Sequence, residues 1–111
     1  MIGCVFCRIV ERKVKADIVY EDDDIIAIND INPQAPTHIL LIPKKHIPTI
    51  EDASPEIMGK LINQAGQLAK KVGISQKGYR TVINCREHAG QSINHLHVHL
   101  LGGRWFSWPP G

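Results

Sequence analysis

The stretch His95-Leu96-His97-Val98-His99-Leu100-Leu101 decides how this chain is read. Side chains of a strand alternate between its two faces. The three histidines therefore share one face, and Leu96, Val98 and Leu100 share the other. Neighbouring histidines are expected roughly 7 Å apart along such a strand. The apolar face must be covered, and a helix is the natural cover. Burial accounts for that face but not for three imidazoles opposite it.

The covering helix is Ser54 to Val72. Ser54 suits the N-cap, Pro55 the first turn and Gly73 the C-terminal cap. Ile57, Leu61, Ala65, Leu68 and Val72 recur every three or four residues and form one stripe. Working outward, Tyr79 to Asn84 reads as the strand before the histidines. Ile18-Val19-Tyr20, Ile25-Ile26-Ala27-Ile28 and His38 to Ile42 read as three earlier strands. Glu21-Asp22-Asp23-Asp24 is a solvated hairpin turn between the first two. Asn32-Pro33-Gln34-Ala35-Pro36 is a loop, because each proline removes a backbone donor. Val5 to Lys13 predicts a short helix.

Connections among the first three strands are too short for parallel crossovers. The fold class is therefore α+β, with a mainly antiparallel sheet of about five strands, one short helix and one long one. The 111 residues suit a single domain, 1–111.

Composition narrows the function. Charged residues make up 22% and the net charge is +2, without the basic stripe of a nucleic-acid binder. No apolar run is long enough for a membrane span. Met1-Ile2-Gly3-Cys4 lacks the regions of a signal peptide, so a cytoplasmic location is expected. Three cysteines, an odd number, suit metal binding or burial better than disulfides in that setting. No Rossmann or Walker glycine loop is present, and no organic cofactor is expected.

Three histidines in alternation admit three readings: a merely polar face, a three-histidine catalytic metal site, or nucleophilic and phosphate-binding chemistry. An imidazole titrates near neutrality, so it can attack without a strong external base. Gly90-Gln91-Ser92 precedes the strand and favours the third reading. A glycine lets backbone approach a ligand, and turn amides with a serine hydroxyl can hold phosphate oxygens.

Gly90 to Leu101 resembles the signature of the histidine-triad nucleotide hydrolases. Asp30-Ile31-Asn32-Pro33-Gln34-Ala35-Pro36-Thr37-His38, Ile42-Pro43-Lys44-Lys45-His46-Ile47 and Trp108-Pro109-Pro110-Gly111 are similar to the phosphoramidase branch, the histidine triad nucleotide-binding proteins. The resemblance covers essentially the whole chain. It implies hydrolysis of purine nucleoside 5′-phosphoramidates through a nucleotidyl-histidine intermediate on His97. Asp30 would bind the ribose hydroxyls, with Ile31 beside it. Phe6, Ile9, Val14 and Ile28 would form the base pocket. Asn84, Gly90, Gln91, Ser92 and His99 would hold the phosphate end. His38 would support the site, and Trp108 would lie near the leaving group. A backbone carbonyl near His95 would fix the His97 tautomer. The resemblance further implies a homodimer whose sheets are joined.

Asn94 departs from the pattern, since this branch usually carries an aromatic residue there. In an alternating strand it faces away from His95, and an effect on packing or the dimer is expected. Cys4-Val5-Phe6-Cys7 is a Cys-x-x-Cys pair, which needs two further ligands for structural zinc. His46 and His95 match metal ligands of zinc-containing relatives. Burial of the cysteines and redox pairing are the alternatives. A second function class also stays open, a nucleotide- or zinc-binding interaction module with incidental hydrolase activity.

Overall fold

The computed structural model describes residues 3–111. Among them, five strands form one antiparallel sheet in the order β1-β2-β3-β5-β4. The strands are β1 (Ile18–Glu21), β2 (Ile25–Asn29), β3 (Thr37–Pro43), β4 (Tyr79–Val82) and β5 (Val98–Gly102). A short helix, α1 (Val5–Val10), precedes the sheet, and a long helix, α2 (Pro55–Lys71), sits between β3 and β4.

Parity along the strands builds two cores. Ile25, Ala27, Ile39, Leu41, Val98 and Leu100 face α2 and pack with its Leu61, Ala65 and Leu68. Ile26, Ile28, Leu40 and Ile42 face the other way, against Phe6 and Ile9 of α1. Covering both faces explains why β2 and β3 read as unbroken apolar runs rather than alternating ones. Each fully buried leucine of α2 contributes about 2 kcal/mol.

The long helix begins as its sequence demands. The Ser54 hydroxyl accepts from the Ile57 amide at 3.2 Å, a cap worth about 1 kcal/mol. Its stripe is rotated slightly from expectation. Ala69 is buried, whereas Val72 is exposed because it is the C-cap and no longer lies on the helix face.

Three boundaries differ from the sequence reading by two residues or more. α1 stops at Val10, not Lys13. Lys13 N–H donates to Arg8 O at 2.8 Å and Arg12 N–H to Ile9 O at 3.0 Å. That is a Schellman closure, with Arg12 at φ 63° in the left-handed position glycine usually takes. Glu21 holds the Arg12 guanidinium in place. β4 ends at Val82, two residues early. The histidine strand joins the ladder at Val98 rather than His95. Val98 faces Leu41, so residue 96 would come opposite Pro43, which has no N–H to donate. The Leu96 amide bonds Ile47 O instead, at 2.7 Å.

The alternation of faces survives this. Leu96, Val98 and Leu100 are buried on the α2 side. His95, His97 and His99 all point to the α1 side, where Phe6 meets His95 and His97 edge-on at 5.7 and 5.2 Å between ring centres. His97 and His99 are 5.0 Å apart by the same measure. Asn94 lies outside the strand, exposed at the mouth of a cleft shared with Gly3, Cys4 and His46.

Candidate active site

A cavity of about 440 Å³ opens on the α1 face, beyond the point where α1 stops covering the sheet. Phe6, Ile9, Val14 and Ile28 give it an apolar lining. Asp30, His38, Ser92, His97 and His99 supply its polar groups. Ile31 borders it and is 99% exposed. Sequence reasoning thus names residues that the fold brings around one space.

His97 is buried, and its Nδ1 lies 2.8 Å from the backbone oxygen of His95. A carbonyl can only accept, so Nδ1 carries the proton of a neutral His97 and Nε2 keeps its lone pair. The tautomer is set by backbone, which no side-chain motion can alter.

His99 is set by a longer chain. The Gln34 amide donates to His38 Nδ1 at 3.0 Å. A backbone N–H cannot accept, so His38 Nδ1 is unprotonated and its proton sits on Nε2. His38 Nε2 lies 2.9 Å from His99 Nδ1 and donates to it. His99 then carries its own proton on Nε2, as a donor. Burial pushes His99 down to about 4, helped by the neighbouring His97 and His38. Burial also lowers His38, against the pull of Asp30. Both imidazoles are therefore neutral at pH 7. Asp30, His38 and His99 bring three ligand-type atoms together, but His38 Nε2 holds a proton in this arrangement. It offers a metal no lone pair, and the trio works as a hydrogen-bond relay.

Asp30 sits where β2 leaves the ladder, its amide bonded to His38 O at 2.9 Å. Its Oδ1 accepts the Asn32 amide at 2.8 Å, and its Oδ2 lies 3.4 Å from His38 Nε2. The carboxylate is half-buried and retains acceptor capacity toward the cavity.

Asn84, Gly90, Gln91 and Trp108 lie outside the lining. Trp108 is 81% exposed. The Gln91 carboxamide is fully engaged. It donates to Pro48 O at 2.8 Å and Ile93 O at 3.0 Å, and accepts the Arg86 amide at 2.8 Å. It clasps a turn in which Arg86 (φ 66°) and Gly90 (φ 79°) are both left-handed. Gln91 thus shapes the turn that presents Ser92, and its side chain has no donor left for a ligand. Gln34 is the residue sequence reasoning missed. It stood in a proline-bounded loop, and the partner that gives its amide meaning is fixed by tertiary structure.

Cys4, Cys7, His46 and His95 converge beside the cavity. Cys4 Sγ is 3.3 Å and Cys7 Sγ 3.6 Å from His95 Nδ1, and Cys7 Sγ is 3.2 Å from His46 Nδ1. A tetrahedral zinc with ordinary bond lengths needs sulfur–nitrogen edges of about 3.5 Å. His95 Nε2 donates to Pro43 O at 2.7 Å, which leaves Nδ1 free as the ligand atom, the orienting bond expected of a metal-binding histidine. Burial, with Cys4 beside it, pushes the Cys7 thiol up, so Cys7 is an inert thiol unless a cation ionises it. The residues present fit a closed zinc site.

An antiparallel sheet that turns alternating histidines toward a cavity defines a histidine-triad fold. The HIT domain family matches residues 11–105, and the chain belongs to this family of hydrolases. The purine nucleoside phosphoramidase of Escherichia coli (strain K12) is 48% identical over 103 residues, covering 90% of this chain and 87% of that one. A HIT family hydrolase from Legionella pneumophila superposes with a TM-score of 0.95 at 47% identity, covering 98% of this chain and 100% of that one. A zinc-bound histidine triad family protein from Mycobacterium smegmatis gives 0.81 at 31% identity, covering 92% and 76%.

Proposed function

We propose that this protein hydrolyses the P–N bond of purine nucleoside 5′-phosphoramidates through a nucleotidyl intermediate on His97. The observation that carries the reading is the His97 Nδ1 to His95 O contact of 2.8 Å. It leaves the Nε2 lone pair beside the cavity, with a neutral His99 donor next to it. His97 Nε2 attacks the α-phosphorus, and the P–N bond breaks as the amine departs with a proton taken from solvent. Water then attacks the same phosphorus, breaks the P–Nε2 bond and returns a proton, releasing the nucleoside monophosphate. Two displacements replace one harder step. His99 Nε2–H and Ser92 stabilise charge on the phosphoryl oxygens. The apolar end takes the base and Asp30 takes the ribose hydroxyls. Zinc, held by Cys4, Cys7, His46 and His95, would supply rigidity when bound and no step of the reaction.

The deciding experiment is a screen of adenosine and guanosine phosphoramidates beside dinucleoside polyphosphates. Turnover of the former, with little of the latter, is expected. Failure to cleave any phosphoramidate would sink the reading.

Asp30→Ala is expected to weaken AMP binding by about 10-fold or more, the worth of charge-assisted hydrogen bonds to two hydroxyls. The 2′,3′-dideoxy analogue, which lacks both hydroxyls, should lose little. Calorimetric titration of both ligands checks this, and equal losses would remove Asp30 from the ribose.

We further propose a homodimer joined at β4. This strand lies at the sheet edge, and exposed edges invite pairing. Tyr79 on it is exposed, and Trp105 beside it is 96% exposed. Both border a concavity of about 730 Å³. Sedimentation equilibrium should give twice the chain mass. The double variant Tyr79→Glu, Trp105→Glu should raise the dimer dissociation constant at least about 10-fold, as loss of aromatic anchors does. An unaltered constant would place the interface elsewhere.

A further inference from the structure

The tail that follows β5 is pressed against the Asn32–Pro36 loop. A Cβ added to Gly103 (φ 91°) would stand 2.9 Å from Pro36 Cβ. The next residue, Arg104, donates from Nε to Gln34 O at 3.0 Å. Its guanidinium is held in two further ways. It donates from Nη1 to Trp105 O at 2.9 Å and lies 4.3 Å above the Phe106 ring centre. Gln34 in turn donates its amide to His38, and His38 bonds His99. Three hydrogen bonds therefore run from an exposed arginine to an imidazole in the cavity.

We propose that Arg104 is a positioning residue: by holding Gln34, it fixes the tautomer of His99. This rests on the reading of His99 as the donor to the phosphoryl oxygens. The loop carrying Gln34 has prolines at 33 and 36 and lies outside the sheet ladder. If Gln34 drifts, His38 Nδ1 loses its donor and can carry the proton itself. His38 Nε2 then presents a lone pair to His99 Nδ1. His99 answers by moving its proton to Nδ1, and the Nε2 that faces the substrate becomes a lone pair opposed to an anion. None of these hydrogen bonds involves His97, whose tautomer is set by His95 O.

The test is the tautomer itself, read from two-bond 1H–15N correlations of the histidine rings in nucleotide-free protein at pH 7.5. In the unaltered chain, His38, His97 and His99 should be protonated at Nε2, Nδ1 and Nε2 respectively. In Arg104→Ala, His99 should become a mixture of tautomers while His97 stays as it was. Arg104→Met keeps an apolar stem over Phe106 but lacks the Nε–H, so it should behave like alanine and guards against collapse of the tail. Single-turnover hydrolysis should fall about 10-fold in both, part of the loss expected for an oxyanion donor, with KM within about 3-fold. An unchanged His99 tautomer in both variants overturns the proposal, whatever happens to the melting temperature. So does an Nδ1–H His99 in the unaltered chain. Absence of phosphoramidate turnover in the unaltered chain would sink the function proposed above, and the tautomer measurement would still decide this one.

Discussion

His97→Ala should lower single-turnover hydrolysis of adenosine 5′-phosphoramidates by at least about 10⁴-fold, the scale seen when a covalent nucleophile is deleted. AMP binding should survive, because the ribose and base ends of the cavity are built from other residues. The motivation is geometric. Among the three alternating histidines, His95 points its Nδ1 at two cysteines, and His99 Nδ1 is occupied by His38. His97 is the one whose Nδ1 is fixed by a backbone acceptor while its ring lines the cavity. His97 is also buried and packs on Phe6 and His99, so truncation could loosen the wall. His97→Asn is the control, since its amide can still donate to His95 O and fill much of the space. Both variants should be inactive, and reactions quenched in alkaline denaturant, where a histidine P–N bond survives, should trap labelled nucleotide on the unaltered protein and on neither variant. Hydrolysis within 100-fold of the parent in either variant would remove His97 from the nucleophile role.

The sheet and the long helix were legible because their signals are local. Ser54, Pro55 and Gly73 mark the helix ends through backbone chemistry that needs no distant partner, and period-two alternation places His95, His97 and His99 opposite Leu96, Val98 and Leu100 even where the ladder is absent. What stayed hidden depends on which segments meet. The ladder of β5 starts late because Pro43, more than fifty residues earlier, faces the place where Leu96 would pair. The helix α1 ends early through a left-handed arginine, a position at which sequence gives glycine as the cue. Gln91 and Gln34 look like ordinary loop residues. One turns out to clasp Pro48, Ile93 and Arg86 with its side chain, and the other to set a histidine tautomer with its amide. Neither role leaves a trace in residue type. The metal ligands are an intermediate case. Cys4 and Cys7 announce themselves by spacing, whereas His46 and His95 came from family resemblance, and their distance from the cysteines in the chain hides the fit.

Freshly purified protein should contain one zinc per subunit, and losing it should cost stability before activity. Cys4, Cys7, His46 and His95 stand at the separations a tetrahedral ion requires, and four protein ligands leave no position open for substrate. The ion would tie the N-terminal segment to the stretch leading into β5, which carries His97. Phe6, between the two cysteines, packs edge-on against His95 and His97 and lines the base end of the cavity, so the metal would hold that wall in place. A ligand present at a thousandfold over its dissociation constant stabilises the fold by roughly 4 kcal/mol. Removing it should lower the melting temperature by more than about 15 °C in a domain of this size. Cys7→Ser should show the same loss and no further response to chelator. Activity at 25 °C, assayed while the apo-protein remains folded, should stay within about 5-fold, because the bond that orients His97 runs to the backbone oxygen of His95, not to the ring nitrogen that would ligate the ion, and the His95 ring is also held by its bond to Pro43 O. Elemental analysis, calorimetry and a chelation time course measure the three quantities. Active protein purified without chelator that holds less than about 0.2 zinc per chain would contradict a site of structural affinity. Activity that vanishes in step with the metal, at constant folded fraction, would make the ion catalytic and take the chemistry away from His97.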